Sequence, residues 1–279
     1  MRRRIRQLLF FTCVIGVCAF MLLPVVWAIV TSLKPLDESY TFPPTFRIDN
    51  PQWSNYGEAI TRLPVLRFLF NSMLISSTAA FGAVLSSSMA GYALARFSFR
   101  GRALCMGLVI ASLFIPSTIL IIPRFFLFQS LEWMGTYKPL IVPAWLGGGA
   151  FNILLFRQFF RSVPRELDEA AMLDGASPWQ AYRHVLLPAV RPAVVTAALL
   201  SFVIHWRDFL DPLIYLSDFQ TYPISLGIRM YQSLSGTWSN LLMAVSVVSL
   251  IPIVVLFLLL ERWVLEGLQV IGPRETKRV

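Results

Sequence analysis

Charge is what this chain has least of. Only 14% of its 279 residues are Asp, Glu, Lys or Arg, against about 25% in soluble domains. With 56% hydrophobic residues, this excludes an ordinary soluble fold. Lysine is scarcer still: Lys34, Lys138 and Lys277 are the only three, and none follows a glycine. A P-loop needs Gly-Lys followed by Ser or Thr, so the chain has no nucleotide-hydrolysing motif of that kind. The two histidines, His184 and His205, lie in different segments, which argues against a zinc site or a His-based hydrolase. Cys13, Cys18 and Cys105 sit inside apolar runs without a CxxC pair, so they read as small hydrophobes rather than disulfides or metal ligands. No basic patch is interleaved with exposed aromatics. The net charge of +9 therefore points to membrane topology, not to nucleic acid.

What the chain has in abundance is long stretches without charge. A membrane span needs about 20 mostly apolar residues. Residues 7–33 form a charge-free run of 27 residues behind Arg2, Arg3, Arg4 and Arg6. That is too long for a signal-peptide core of about 7–15 residues, so it is read as an uncleaved first span. By the same rule the expected spans are about 8–33, 69–95, 103–123, 139–158, 185–206 and 240–261. The fifth is the weakest, because only 192–206 lie between Arg191 and Arg207. Fifteen residues of helix rise about 22 Å, short of a core of about 30 Å. The span is therefore expected to begin near Val185, with Arg191 snorkelling to the interface. Residues 34–67, with Pro43-Pro44, read as an irregular outer loop.

With the N-terminus inside, sixteen of the 24 basic residues fall in inner segments. This favours N-in and C-in. The fold class is an all-α membrane protein in one permease-like domain of about six transmembrane helices, with an inner helix-turn-helix between spans four and five. Gly82, Ser86 and Ala90 offer a small-residue packing seam on the second span. Several tryptophans, including Trp145, Trp206 and Trp263, fall near span ends as an aromatic belt would.

The helix-turn-helix occupies 162–188. Pro164 suits a helix start, followed by Glu166, Asp168 and Glu169 near the positive helix end. Gly175 suits the left-handed residue that stops that helix. Ser177, Pro178 and Gln180 read as a capping box for the second helix, and Pro188 as its limit. Ala170 and Ala171 make a shallow surface that another protein could approach closely. From the residues alone, a solvated connector between spans explains the segment equally well.

Glu169-Ala170-Ala171, Asp174-Gly175-Ala176 and Leu187-Pro188 resemble the EAA loop of permease subunits in binding-protein-dependent ABC importers. Ser32-Leu33-Lys34-Pro35, Asn71-Ser72 and Tyr92-Ala93-Leu94-Ala95-Arg96-Phe97 look like the carbohydrate (MalG-like) branch. So do Trp206-Arg207-Asp208-Phe209-Leu210-Asp211-Pro212-Leu213, with Arg207 and Asp211 as departures, and the ending Glu261–Leu268. The resemblance implies a multi-pass permease in a prokaryotic inner membrane, forming half of a path for a sugar or sugar-like solute. Its implied partners are a second permease, two ATPase subunits, an extracytoplasmic solute-binding protein and membrane lipid. ATP and Mg are expected on the ATPase, with no cofactor in this chain. Glu169, Ala170, Ala171, Asp174, Gly175, Ala176, Leu187 and Pro188 are the implied docking residues.

His205, Arg207, Asp208 and Asp211 are candidates for a gate or path wall. The simpler reading is an interfacial Arg207–Asp211 pair at i, i+4. An ion-coupled secondary transporter is the rival function. It would place ionisable residues in mid-span, whereas charges here cluster at expected span ends.

Overall fold

The structure is a computed structural model that describes residues 2–40, 43, 45–232 and 238–271, with residues 2, 3, 5, 40 and 264–271 described by backbone alone. It is all-helical among the described residues. The helices are α1 Arg2–Ser32, α2 Ser54–Arg62, α3 Val65–Arg96, α4 Arg102–Ser112, α5 Ile121–Ser130, α6 Lys138–Trp145 and α7 Ala150–Ser162. They continue with α8 Glu166–Leu173, α9 Pro178–Ala181, α10 Leu187–Ala189, α11 Arg191–Trp206, α12 Leu210–Tyr215, α13 Ile224–Met230 and α14 Ser239–Ile271. One π-helical turn, Tyr182–Leu186, joins α9 to α10.

Among the described residues, four helical stretches are long and apolar enough to cross a membrane: Arg6–Ser32, Val65–Arg96, Lys138–Ser162 and Ser239–Trp263. Two bent pairs raise this to six if each is one span. The first, second and sixth expected spans therefore stand close to their expected bounds. The other three differ in shape. The third breaks between α4 and the 3-10 turn Ser117–Leu120 that leads into α5, with a bend of 96°. Pro116 is extended there, and a proline disfavours helical geometry in the residue before it. The fourth is interrupted at Gly147–Gly149, all at positive φ, and runs on to Ser162.

The fifth span does not begin near Val185. Residues 185–189 belong to the preceding segment, and the chain bends by 80° between Ala189 and Arg191. Pro192 then lies in the first turn of α11, where its missing N–H costs nothing. The bend falls after Pro188 rather than at it. Arg191 stacks its guanidinium on Trp263 at 4.6 Å.

Two compact units are distinguished. The first comprises Met1–Arg67 and Leu226–Pro252. On α1, Leu8, Phe20 and Met21 are exposed, as suits a lipid-facing helix. The 34–67 segment is not wholly irregular, since it contains α2 and the 3-10 turn Glu38–Tyr40. Asn55 on α2 donates to the carbonyls of Ser32 (2.8 Å) and Lys34 (2.9 Å). Lys34 itself is buried and donates to the Thr45 carbonyl and hydroxyl. This gives the Ser32–Pro35 motif a structural role in fixing the chain beyond α1. Pro44 and the side chains of 264–268 lie outside the described residues.

The second unit comprises Phe68–Ser225 and Ile253–Val279. Its main core gathers Tyr92 and Ala95 of α3, Phe156, Phe159 and Phe160 of α7, and Tyr182, Leu186, Val190, Ala193 and Ala197. Small residues let α3 approach its neighbours. Ser86 donates to Ala144 at 3.3 Å, and a Cβ on Gly82 would fall 2.2 Å from the Trp145 ring. A Cβ on Gly148 would lie 2.1 Å from the Ala83 carbonyl oxygen, and its φ of +65° also favours glycine. The interruption of the fourth span thus brings its backbone close against α3. Trp206 is buried and stacks on Phe202 at 5.4 Å, so it is a core residue rather than part of an interfacial belt.

Candidate coupling loop and polar cavity

Residues 162–188 form a closed helix-turn-helix. The Arg165 carbonyl accepts from Asp168 N (2.9 Å) and Glu169 N (3.1 Å) to start α8. At its other end Gly175 N donates to Met172 O and Ala176 N to Ala171 O, both at 3.0 Å. These are the two bonds of a Schellman stop. Gly175 takes φ +84°, and nothing lies within 4 Å of where its Cβ would be. The requirement for glycine is therefore a backbone requirement, not one of space. Ser177 and Gln180 form both bonds of the capping box that opens α9.

This unit is bolted to the end of α3. Arg96 Nε lies 2.8 Å from Asp168 Oδ2, with both side chains largely buried. Arg96 Nη2 donates to the Val163 carbonyl at 2.9 Å. The hydroxyls of Ser88 and Tyr182 are bonded at 2.7 Å, and Tyr92 donates to the Pro178 carbonyl at 3.3 Å. Tyr92 and Tyr182 also meet at 5.1 Å between ring centroids. Burial raises the Asp168 pKa, and this outweighs the lowering by Arg96 and then Arg165. A pair of this kind fixes position more than it stabilises.

The docking candidates separate by exposure. Ala171 is buried within the chain and cannot form the expected outward face together with Ala170. Leu187 packs against the main core, and Pro188 lies exposed beyond the π turn. Glu169, Ala170, Asp174 and Gly175 are exposed, and Ala176 is half-buried. The outward apolar surface includes Leu167, Met172, Trp179 and Leu173, which is 89% exposed. These four carry no small-residue signature and were not marked by the motif.

The second candidate group gathers around a cavity of about 300 Å³ lined in part by Arg124, Asn152, Ser201, His205, Asp208 and Asp211. Asp211 pairs with Arg124 of α5 (Nη1–Oδ2 3.3 Å), not with Arg207. Arg207 is exposed and lines an adjoining cavity of about 500 Å³ that shares Arg124, Asp208 and Asp211. The Arg124–Asp211 pair therefore stands on the boundary of both cavities. Asp208 does not share a helical face with Asp211. It precedes α12, and its Oδ1 accepts from Asp211 N at 3.3 Å. Burial, then the nearby Asp211 charge, raises the Asp208 pKa. His205 Nδ1 lies 2.7 Å from the Ser201 carbonyl; a carbonyl can only accept, so Nδ1 carries the proton. Asn152 donates to Gly148 O (2.8 Å) and Ser201 Oγ (2.9 Å). The cavity thus mixes fixed donors and acceptors, as suits hydroxyl-rich solutes. Among the described residues, no three His, Cys, Asp or Glu side chains group to hold a metal.

Arg96 and Arg124 were missed as functional candidates. Arg96 is the next-to-last residue of the Tyr92–Phe97 motif. Arg124 is the lone charge between Arg102 and Glu132, a signal read only as the end of a span.

Residues 82–268 match the family described as binding-protein-dependent transport system inner membrane component. The chain belongs to this family. It is a multi-pass permease subunit of an inner-membrane transport system, which sets aside the ion-coupled rival. A sulfoquinovosyl glycerol transport system permease of Agrobacterium fabrum is 33% identical over 247 residues, covering 88% of this chain and 87% of the relative. A trehalose/maltose transport system permease of Thermococcus litoralis is 33% identical over 259 residues, covering 90% of each. Among solved structures, a chain of a bacterial ABC transporter involved in import of the acidic polysaccharide alginate superposes with a TM-score of 0.79. It is 19% identical, covers 92% of this chain and 95% of its own length, and shows the fold.

Proposed function

We propose that this permease forms half of the path of an ATP-driven importer for a sugar or sugar-like solute. The names of its relatives, all glycoside or sugar transport permeases among those above, support the solute class. A second permease, two ATPase subunits and an external binding protein complete the assembly. ATP and Mg act on the ATPase, outside this chain. The Lys and Arg distribution supports a cytoplasmic position for the 162–188 loop.

The observation that carries this reading is the exposed apolar surface of a helix-turn-helix that is itself rigidly held. Leu173, Met172, Leu167 and Trp179 sit exposed beside Ala170 and Glu169. Such a surface marks a protein contact. Closure of the ATPase pair would push on α8, and the Arg96–Asp168 pair and the Tyr92–Tyr182 contact would pass that motion to α3. On the solute side, Asn152, Ser201, His205, Asp208 and the Arg124–Asp211 pair form a polar wall. Breaking that pair would join the two cavities it borders, which gives it the position of a gate.

The test is co-purification of the tagged chain with and without Gly175→Asp. Aspartate tolerates the left-handed region better than most residues, so the fold survives while a charge enters the docking surface. The variant should keep the second permease and lose the ATPase. Wild-type chain that brings down no ATPase, under conditions preserving the permease pair, would overturn the reading.

A further inference from the structure

Where α3 and α7 end, the second unit carries a cavity of about 670 Å³. Arg96, Arg102, Arg161 and Arg165 line it against a single acid, Glu166. Arg96 is already engaged by Asp168 and the Val163 carbonyl. Arg102 turns Nε and Nη2 to the Leu94 carbonyl, at 3.1 and 2.8 Å. Among the described residues, Arg102, Arg161 and Arg165 take part in no ion pair. Arg157, outside the lining, lies one turn before Arg161, and its Nε is buried without a hydrogen-bond partner. Like charges at i, i+4 destabilise a helix. A general excess of basic residues at one membrane face would spread them over the surface. Here they converge on one concavity, at a local cost in repulsion.

We infer that this cavity binds the phosphate of an anionic phospholipid headgroup. Two observations identify the ligand. Its chemistry must be anionic with several acceptor oxygens, because guanidinium groups present paired donors that fit phosphate. Its depth is that of headgroups, because Arg96 is the last residue of one span and Arg161 the next to last of another. Basic pockets between span ends are suited to such headgroups. The bound lipid neutralises the cluster at the root of the 162–188 loop and so sets how firmly that loop is seated. The inference does not depend on which solute is carried.

The experiment uses the complete transporter in nanodiscs of phosphatidylcholine alone or with phosphatidylglycerol, compared with Arg161→Gln and Arg161→Gln/Arg165→Gln. Lipid retained after detergent exchange is read by native mass spectrometry. Wild type should retain phosphatidylglycerol over phosphatidylcholine. At about 1 kcal/mol per basic residue, the double variant should bind it on the order of 30-fold more weakly, with the single variant between. Equal retention by wild type and double variant would overturn the inference. So would displacement of the lipid by millimolar inorganic phosphate, which would assign the site to a soluble anion. Loss of the ATPase from the double variant with lipid retention unchanged would assign the cluster to the partner interface and overturn it as well.

Discussion

Removing Asp168 isolates the link between the coupling loop and α3. Arg96 is 7% exposed and Asp168 14% exposed at the side chain, with 2.8 Å between Nε and Oδ2. Asp168→Ala leaves a buried guanidinium with the Val163 carbonyl, 2.9 Å away, as its remaining named partner. Breaking a buried pair on one side costs about 3–5 kcal/mol. The residual exposure of Asp168 lets water in, so about 3 kcal/mol is expected. The loss should be local, opening α8 rather than unfolding the chain. Hydrogen exchange of the α8 amides should then speed up on the order of 100-fold. Arg96→Met/Asp168→Leu removes both charges and should restore protection to within about 1 kcal/mol of wild type, because burial of the pair already offsets most of its attraction. The pH dependence has a definite sign. The folded-state pKa of Asp168 lies above its ordinary value because burial dominates. Its contribution is therefore fully present below the unfolded pKa and is lost as pH rises through the folded pKa. Protection of α8, corrected for intrinsic exchange, should fall across that window in wild type and stay flat in Asp168→Asn. A double variant as unprotected as Asp168→Ala would refute the argument.

Other consequences follow from the same geometry. Gly175→Ala should loosen the α8 stop by about 1 kcal/mol and reduce uptake with normal membrane insertion, measured by transport in vesicles against protein level. Gly148→Ala should be worse, since it adds a clash with the Ala83 carbonyl to the backbone strain; a drop in thermal stability of the purified complex checks it. Tyr182→Phe removes the bond to Ser88, whose hydroxyl keeps the Leu85 carbonyl; the loss of about 1 kcal/mol should raise exchange in the π turn. Arg124→Leu leaves Asp211 without its cation and should raise uncoupled ATP hydrolysis or solute leak in proteoliposomes, with Arg124→Leu/Asp211→Leu restoring tightness.

The helix-turn-helix was legible because its determinants are local. Ser177, Gln180 and Gly175 act on backbone groups within five residues of themselves, so spacing alone reveals them. The spans were legible in position and less so in shape. A charge-free run measures compatibility with lipid, not straightness. Pro116 and the Gly147–Gly149 stretch bend or interrupt runs that remain apolar throughout. Pro24 and Pro252 lie inside continuous helices, so proline alone does not mark a break. The ion pairs were not legible. Arg96 and Asp168 are 72 positions apart and Arg124 and Asp211 are 87, and no periodicity connects them. The i, i+4 spacing of Arg207 and Asp211 suggested a pair that the turn before α12 does not make. Ala171 was misjudged for a related reason, since a helix face known from spacing does not say which side meets the rest of the chain.

The most direct test of the docking surface is photo-cross-linking from Leu173, which is 89% exposed. A photoreactive phenylalanine analogue placed there, and a control at Ala171 inside the fold, would be irradiated in native membranes with and without ATP. Leu173 should cross-link to the ATPase subunit with ATP-dependent yield, while Ala171 gives internal products. Equal or absent ATPase adducts at both positions would contradict the account.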